Sequence, residues 1–248
     1  NIAGKGAYPY YCYNNDGGGR LDYVGAWSRY PVGDVASVKS PRMQDPVTGH
    51  WYDGYRPALK FRIQYKGQDI WFYGLHLKSN SGGDVSSMEM RRAQAHHLAN
   101  YIKINHNPRL DNIVILGDFN ALTNDYDNSG SCTMDILTMR YDNDKSNDLV
   151  AVNLKHLGGE TNAGVHDWRL VDGMVVDVRP PMTASEKAAN GLTFVNNAFK
   201  STLDHIVMSS NLYRFFHKVE IVGHDQLSYY AKASDHAALH VVLSNINW

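Results

Sequence analysis

A chain of 248 residues, 43% hydrophobic and 20% charged, can bury one sizeable core, and a single domain over residues 1–248 is expected. The formal net charge of −1 excludes a global basic field, so a polyanionic partner would have to be met by local cations or by a metal. Two cysteines, Cys12 and Cys132, exclude a disulfide-dense scaffold and a cysteine zinc cage, and no apolar run approaches the length of a membrane span. The start carries neither an initiator Met nor a signal-peptide pattern, so a processed chain, or one beginning partway into a longer product, is expected; it is expected to be soluble, with secretion as one option and the compartment open.

Residues 21–27 read as a strand, ended at Ser28-Arg29-Tyr30-Pro31 because proline cannot donate to a ladder. From Ala58 to Tyr65, Leu59, Phe61, Ile63 and Tyr65 alternate with Lys60, Arg62 and Gln64, the period of a half-buried strand that turns at Gly67-Gln68. The return strand, 70–77, puts Phe72, Gly74 and His76 on one face and Trp71, Tyr73, Leu75 and Leu77 on the other, as inside a layered structure. Ser86 and Glu89 have capping-box spacing, and Ala95, Leu98, Ala99 and Ile102 form a helical stripe, which predicts a helix over 87–105. Arg91, Arg92 and Lys103 are expected on its solvated face, and His96, His97 and His106 at its surface or interface.

Residues 112–116 form a short buried strand that hands Asp118 and Asn120 to a loop at Gly117. The polar stretch 123–163 has only a weak strand signal at 149–152, and residues 203–208, 218–222 and 238–243 are the closing strands. A strand-helix-strand passage over 70–116 argues against an all-β sandwich. Trp27, Trp51, Trp71 and Trp168 are expected in packing and not as base-stacking platforms.

Five segments carry the chemistry: Arg56-Pro57-Ala58, Gly74-Leu75-His76, Gly117-Asp118-Phe119-Asn120, Leu203-Asp204-His205-Ile206 and Ser234-Asp235-His236. Each lies at the end of, or just inside, an apolar alternating run. A β-framework would therefore deliver carboxylates, amides, imidazoles and a guanidinium to one rim, which suits a phosphate and a divalent cation. Singly each is weak, since a lone histidine at a strand end is usually a satisfied core or surface residue.

In this order the segments resemble the endonuclease/exonuclease/phosphatase superfamily, over nearly the whole chain. The resemblance implies a deoxyribonuclease I-like α/β (α+β) four-layer sandwich, with two packed, mostly antiparallel sheets flanked by helices, and Mg²⁺- or Mn²⁺-dependent phosphoester hydrolysis. It implies that His236 activates water or contacts the scissile phosphate, with Asp204 accepting its other N–H. Asp235 would ligate the metal, while Asp118 and Asn120 would bind a second ion or orient nucleophile and phosphate. His76 would protonate the leaving oxygen, Arg56 would clamp the phosphate, and attack would be in line without a covalent intermediate.

One departure stands out. The family opens with a strand carrying an Asn and a second ending in Gln-Glu, whose Glu is a principal metal ligand; neither is found here, and Asp16 and Asp22 are the nearest acids. The expectation is either an upstream segment or a homodimer through an exposed N-terminal sheet edge. The expected function is that of a nuclease acting on DNA. The alternatives are a lipid or inositol phosphoesterase, sphingomyelinase-like, and a non-catalytic binding relative. Against them stand the missing Trp-Cys-Asp-Arg signature of inositol phosphatases, the lack of any recognisable exposed aromatic hairpin for membrane docking, and the preserved acid-base set.

Overall fold

The computed structural model describes residues 6–14, 24–54, 56–79, 85–121, 132–142, 144–152, 168–171, 174–177, 194–195, 200–201, 203–222, 236 and 238–246. The elements in chain order are β1 (Tyr10–Tyr13), β2 (Gly25–Ser28), β3 (Val32–Val38), β4 (Arg42–Gln44), β5 (Trp51–Asp53), β6 (Ala58–Tyr65), β7 (Gln68–His76) and α1 (Val85–Asn105). There follow β8 (Asn112–Asp118), α2 (Thr133–Leu137), β9 (Leu149–Ala151), β10 (Trp168–Val171), β11 (Met174–Asp177), β12 (Phe194–Val195) and β13 (Lys200–Ser201). The last are β14 (Asp204–Ser209), α3 (Ser210–Tyr213), β15 (Phe216–Val222) and β16 (Ala238–Leu243).

Six strands make the central sheet in the order β3-β6-β7-β8-β14-β9. Only β7 and β8 run parallel, because α1 crosses back between them; the other pairs are antiparallel. The alternation read in β7 holds. Tyr73, Leu75 and Leu77 join Ile113, Ile115 and Val207 against α1 and α2, whereas Ile70 and Phe72 join Val114, Leu116, Ile206 and Met208 against the β15–β16 hairpin. The β1–β2 hairpin lies on that second face too, with Cys12 packed on Leu59 and Phe61. Among the described residues the layers thus run helix, sheet, hairpins.

The structure corrects several expectations. The strand expected over 21–27 is Gly25–Ser28, with 21–23 outside the described residues. Helix α1 starts at Val85, and Glu89 closes no capping box: its carboxylate accepts from Tyr52 and from His50 Nδ1, the latter at 2.8 Å. Arg91 and Arg92 are not solvated, being 3% and 1% exposed. The β4–β5 hairpin packs on α1, and Arg92 donates from Nε and Nη2 to the two oxygens of Asp45 at 2.9 and 2.6 Å. Burial pushes Asp45 up, yet the hydrogen bonds from Arg92 and Thr48 outweigh it and hold the carboxyl below its usual range. No helical periodicity forecasts that hairpin. His106 is an interface residue as expected, accepting from the Tyr73 hydroxyl at 2.6 Å. Trp71 packs against the core, but Trp27 and Trp51 are exposed; the side chain of Trp168 lies outside the described residues.

Candidate active site

Strand β8 runs two residues further than its apolar run, so Asp118 is a strand residue and not a loop residue. Gly117 makes this extension possible. Its φ is 130°, and a Cβ there would sit 2.2 Å from the Leu75 carbonyl oxygen, so only glycine lets β8 stay in register with β7 this far. The register then pairs His76 with Asp118 on one side and Asp204 with Asp118 on the other. Period two places all three side chains on the face that carries Phe72, Leu116 and Ile206. Three strand ends thus present an imidazole and two carboxylates in one row.

His236 completes the row, giving Nδ1–H to Asp204 Oδ2 at 2.7 Å. That bond leaves Nε2 directed at Asp118, whose Oδ2 is 3.9 Å away; His76 Nε2 lies 3.7 Å from the same oxygen. Asn120 adopts a left-handed φ of 47°, a conformation asparagine tolerates better than most residues. Its backbone N–H reaches Asp118 Oδ1 at 2.8 Å, and its Nδ2 reaches Asp118 Oδ2 at 3.0 Å and the Leu77 carbonyl at 3.1 Å. Arg56, also left-handed at 48°, donates from Nη1 to that same carbonyl at 2.8 Å. The Leu77 carbonyl therefore gathers the guanidinium and the carboxamide beside the row.

Burial and the neighbouring Asp204 carboxylate push Asp118 up to about 6, against the opposing pull of the Asn120 N–H, His236 and Arg56. Two carboxylates in adjacent register with an amide beside them are hard oxygen donors whose mutual repulsion a divalent cation would relieve. Among the described residues no group of three or more His, Cys, Asp or Glu is arranged to hold a metal ion. A magnesium ion fits nonetheless, since it needs one or two carboxylates and keeps several waters.

His76, Asp118, Asn120, Asp204, His236 and Arg56 are brought together, while Asp235, Asp16 and Asp22 lie outside the described residues. Sequence reasoning missed His205. Fully buried, it donates from Nε2 to the Ala121 carbonyl at 2.8 Å, and with the Phe119 N–H to Leu203 carbonyl bond of 2.9 Å it ties the Asn120 loop to β14. Its inward place next to the outward Asp204 on an alternating strand was the available signal. The sequence also concealed an exposed aromatic hairpin: β1–β2 turns Tyr11 and Trp27 to solvent.

The chain belongs to the Endonuclease/Exonuclease/phosphatase family, whose model matches residues 1–236. Among solved structures it is similar to the 3′ phosphatase NExo from Neisseria bound to a product DNA hairpin, at 14% identity and a TM-score of 0.52, over 96% of this chain and 79% of that one. It is also similar to D. rerio TDP2 complexed with a single-strand DNA product, at 14% identity and a TM-score of 0.52, over 94% of this chain and 75% of that one. These likenesses show the fold, the deoxyribonuclease I-like α/β sandwich. No curated protein matches the sequence. No helix among the described residues is long and apolar enough to cross a membrane.

Proposed function

We propose that this family member is a divalent-metal-dependent phosphodiester hydrolase acting on DNA. The observation that carries the reading is the in-register row His76-Asp118-Asp204 with His236 bonded to its far end. The DNA-bound state of NExo and TDP2 supports the choice of substrate.

Asp204 holds His236 in the tautomer whose Nε2 carries the lone pair, so His236 takes a proton from the attacking water. His76, protonated, gives one to the leaving oxygen from the other side of Asp118. Arg56 presents a planar set of donors to the phosphate oxygens, and Asn120 orients the same group beside it. Asp118, Asn120 and Asp235 are the residues that would hold Mg²⁺ or Mn²⁺. A bound ion supplies Lewis-acid stabilisation of the phosphoryl oxygens.

The test is plasmid nicking over a metal titration. Cleavage is expected with Mg²⁺ or Mn²⁺, lost in EDTA and poorly restored by zinc, because the donors are oxygens; cleavage that persists in EDTA would dismiss the metal. A second reading, a lipid phosphodiester as substrate, is favoured by the exposed aromatic β1–β2 hairpin. Turnover of sphingomyelin vesicles without nicking of DNA would select it.

A further inference from the structure

The β1–β2 hairpin turns one face to the central sheet and the other to water. Inward, Cys12 packs on Leu59 and Phe61; alternation then sends Tyr11, Tyr13 and Trp27 outward, with Tyr11 and Trp27 directly opposite each other in the ladder. Trp27 is 71% exposed and Tyr11 68%, and Tyr8, Tyr10 and Tyr13 beside them are exposed as well. Surface aromatics are normally scattered singly, so Tyr11, Tyr13 and Trp27 on one hairpin face make a patch that needs a reason. The indole lies along its own strand over Gly25: Cη2 and Cζ3 are each 3.8 Å from where a Gly25 Cβ would be. The indole is thus held against its own strand while most of it stays open to solvent. Arg29 extends the strip, its guanidinium carbon 5.2 Å from the centroid of the Tyr8 ring.

Composition narrows the occupant. Over residues 6–14 and 24–30 the large side chains are Tyr, Trp and Arg29, with no Leu, Ile, Phe or Met. The strip thus has no large aliphatic or phenylalanine side chain to insert deep among acyl chains, and it offers ring faces for planar partners and a cation for their phosphates. The position agrees. Asn14 Nδ2 donates to the Pro57 carbonyl at 2.7 Å, next to Arg56. Val24 lies against Gly74, two residues before His76, with Cγ1 2.7 Å from where a Cβ would stand. Val24 to Trp27 and Gly74 to His76 together make roughly 17 Å of strand, so a substrate held at the row has a few nucleotides to reach the indole.

We infer that the outer face of β1–β2 is a stacking platform for unpaired bases of a single-stranded nucleic acid next to its scissile phosphodiester. This rests on the phosphodiesterase reading of the neighbouring site.

The test uses the full chain with Mg²⁺ or Mn²⁺ and two substrates, a single-stranded homopolymeric oligonucleotide and bis(p-nitrophenyl) phosphate, a diester with no base to stack. Trp27→Ala and Tyr11→Ala are each expected to raise KM for the oligonucleotide about 5- to 100-fold with kcat held, and to lower its kcat/KM relative to the small diester by the same factor. Trp27→Phe keeps a π-face and stays within about 3-fold of the parent. The oligonucleotide also quenches tryptophan fluorescence, less so in Trp27→Phe. An unchanged ratio in Trp27→Ala overturns the platform, and so does Trp27-dependent binding to sphingomyelin vesicles that the oligonucleotide does not displace. If the parent cleaves neither the oligonucleotide nor the small diester, the phosphodiesterase reading falls instead, and the fluorescence quench still decides for or against the platform.

Discussion

Asp118 sits where burial and a neighbouring carboxylate oppose its ionisation. Its folded pKa of about 6 lies above the 3.8 of an unperturbed Asp, so between about pH 4 and 6 the metal-free native state binds more protons than the unfolded chain. Stability therefore falls as pH rises through that window, by at most about 3 kcal/mol for a shift of this size. Asp118→Asn carries no charge to desolvate but surrenders one of the two bonds accepted from Asn120, worth about 1 kcal/mol. Measured by urea unfolding in EDTA, the variant's stability relative to the parent is expected to improve by about 2–3 kcal/mol on going from about pH 4 to about pH 7.5. A difference that does not move with pH would show that Asp118 is not raised. Hydrolysis by Asp118→Asn and by His236→Ala is expected to fall at least ~10²-fold, the scale of a charge-stabilising or acid-base group. Asp204→Asn should lose less, because it orients His236 and touches no substrate; equal losses in His236→Ala and Asp204→Asn would argue against that division of roles.

Strands and hairpins, at the next scale, set these side chains in place. Gly117 is the point where β7 and β8 come closest, and Gly117→Ala is expected to destabilise by roughly 2–4 kcal/mol and to shift Asp118 out of register with His76 and Asp204. Denaturant unfolding and hydrolysis, read together, check it: normal stability in Gly117→Ala would mean the close approach is relieved elsewhere. The β4–β5 hairpin is bound to α1 through a fully buried ion pair. Asp45→Ala strands the Arg92 guanidinium without its partner and should cost about 3–5 kcal/mol, whereas the double change Asp45→Leu with Arg92→Met should lie nearer to the parent. A double variant as unstable as Asp45→Ala would mean that the hairpin is held by the pair itself and not by the packing around it.

Across the whole molecule, the charge balance limits how the proposed DNA substrate would be held. A formal net charge of −1 supplies no broad attraction, so DNA binding should rest on a few local cations and the metal. The slope of log K against log salt is then expected to be about −1 to −3, and Arg56→Ala should reduce its magnitude by about 0.7–0.9, the contribution of one phosphate contact. A slope near −10, as for broad basic surfaces, would point to cations outside the row.

Much of this was legible beforehand, for a definite reason. Periods of two and 3.6 are local, so β6, β7, β8, α1 and the closing strands could be read from alternating side chains, and the ends of those runs named His76, Asp118, Asp204 and His236. Only the tertiary structure decided that β8 lies between β7 and β14, in a register that puts three of those residues in a line; pairing across 86 residues of chain, as for Asp118 and Asp204, leaves no local trace. The same holds for the buried Arg92. It lies on what reads as a polar helix face, and the cover comes from a hairpin some forty residues earlier. Trp27 erred in the opposite direction, because hydrophobicity says how favourable burial would be and not whether another layer arrives to provide it. Residue identity and period determined the chemistry on offer and the elements that carry it; long-range packing decided which side chains meet, which are sealed and which remain open to a partner.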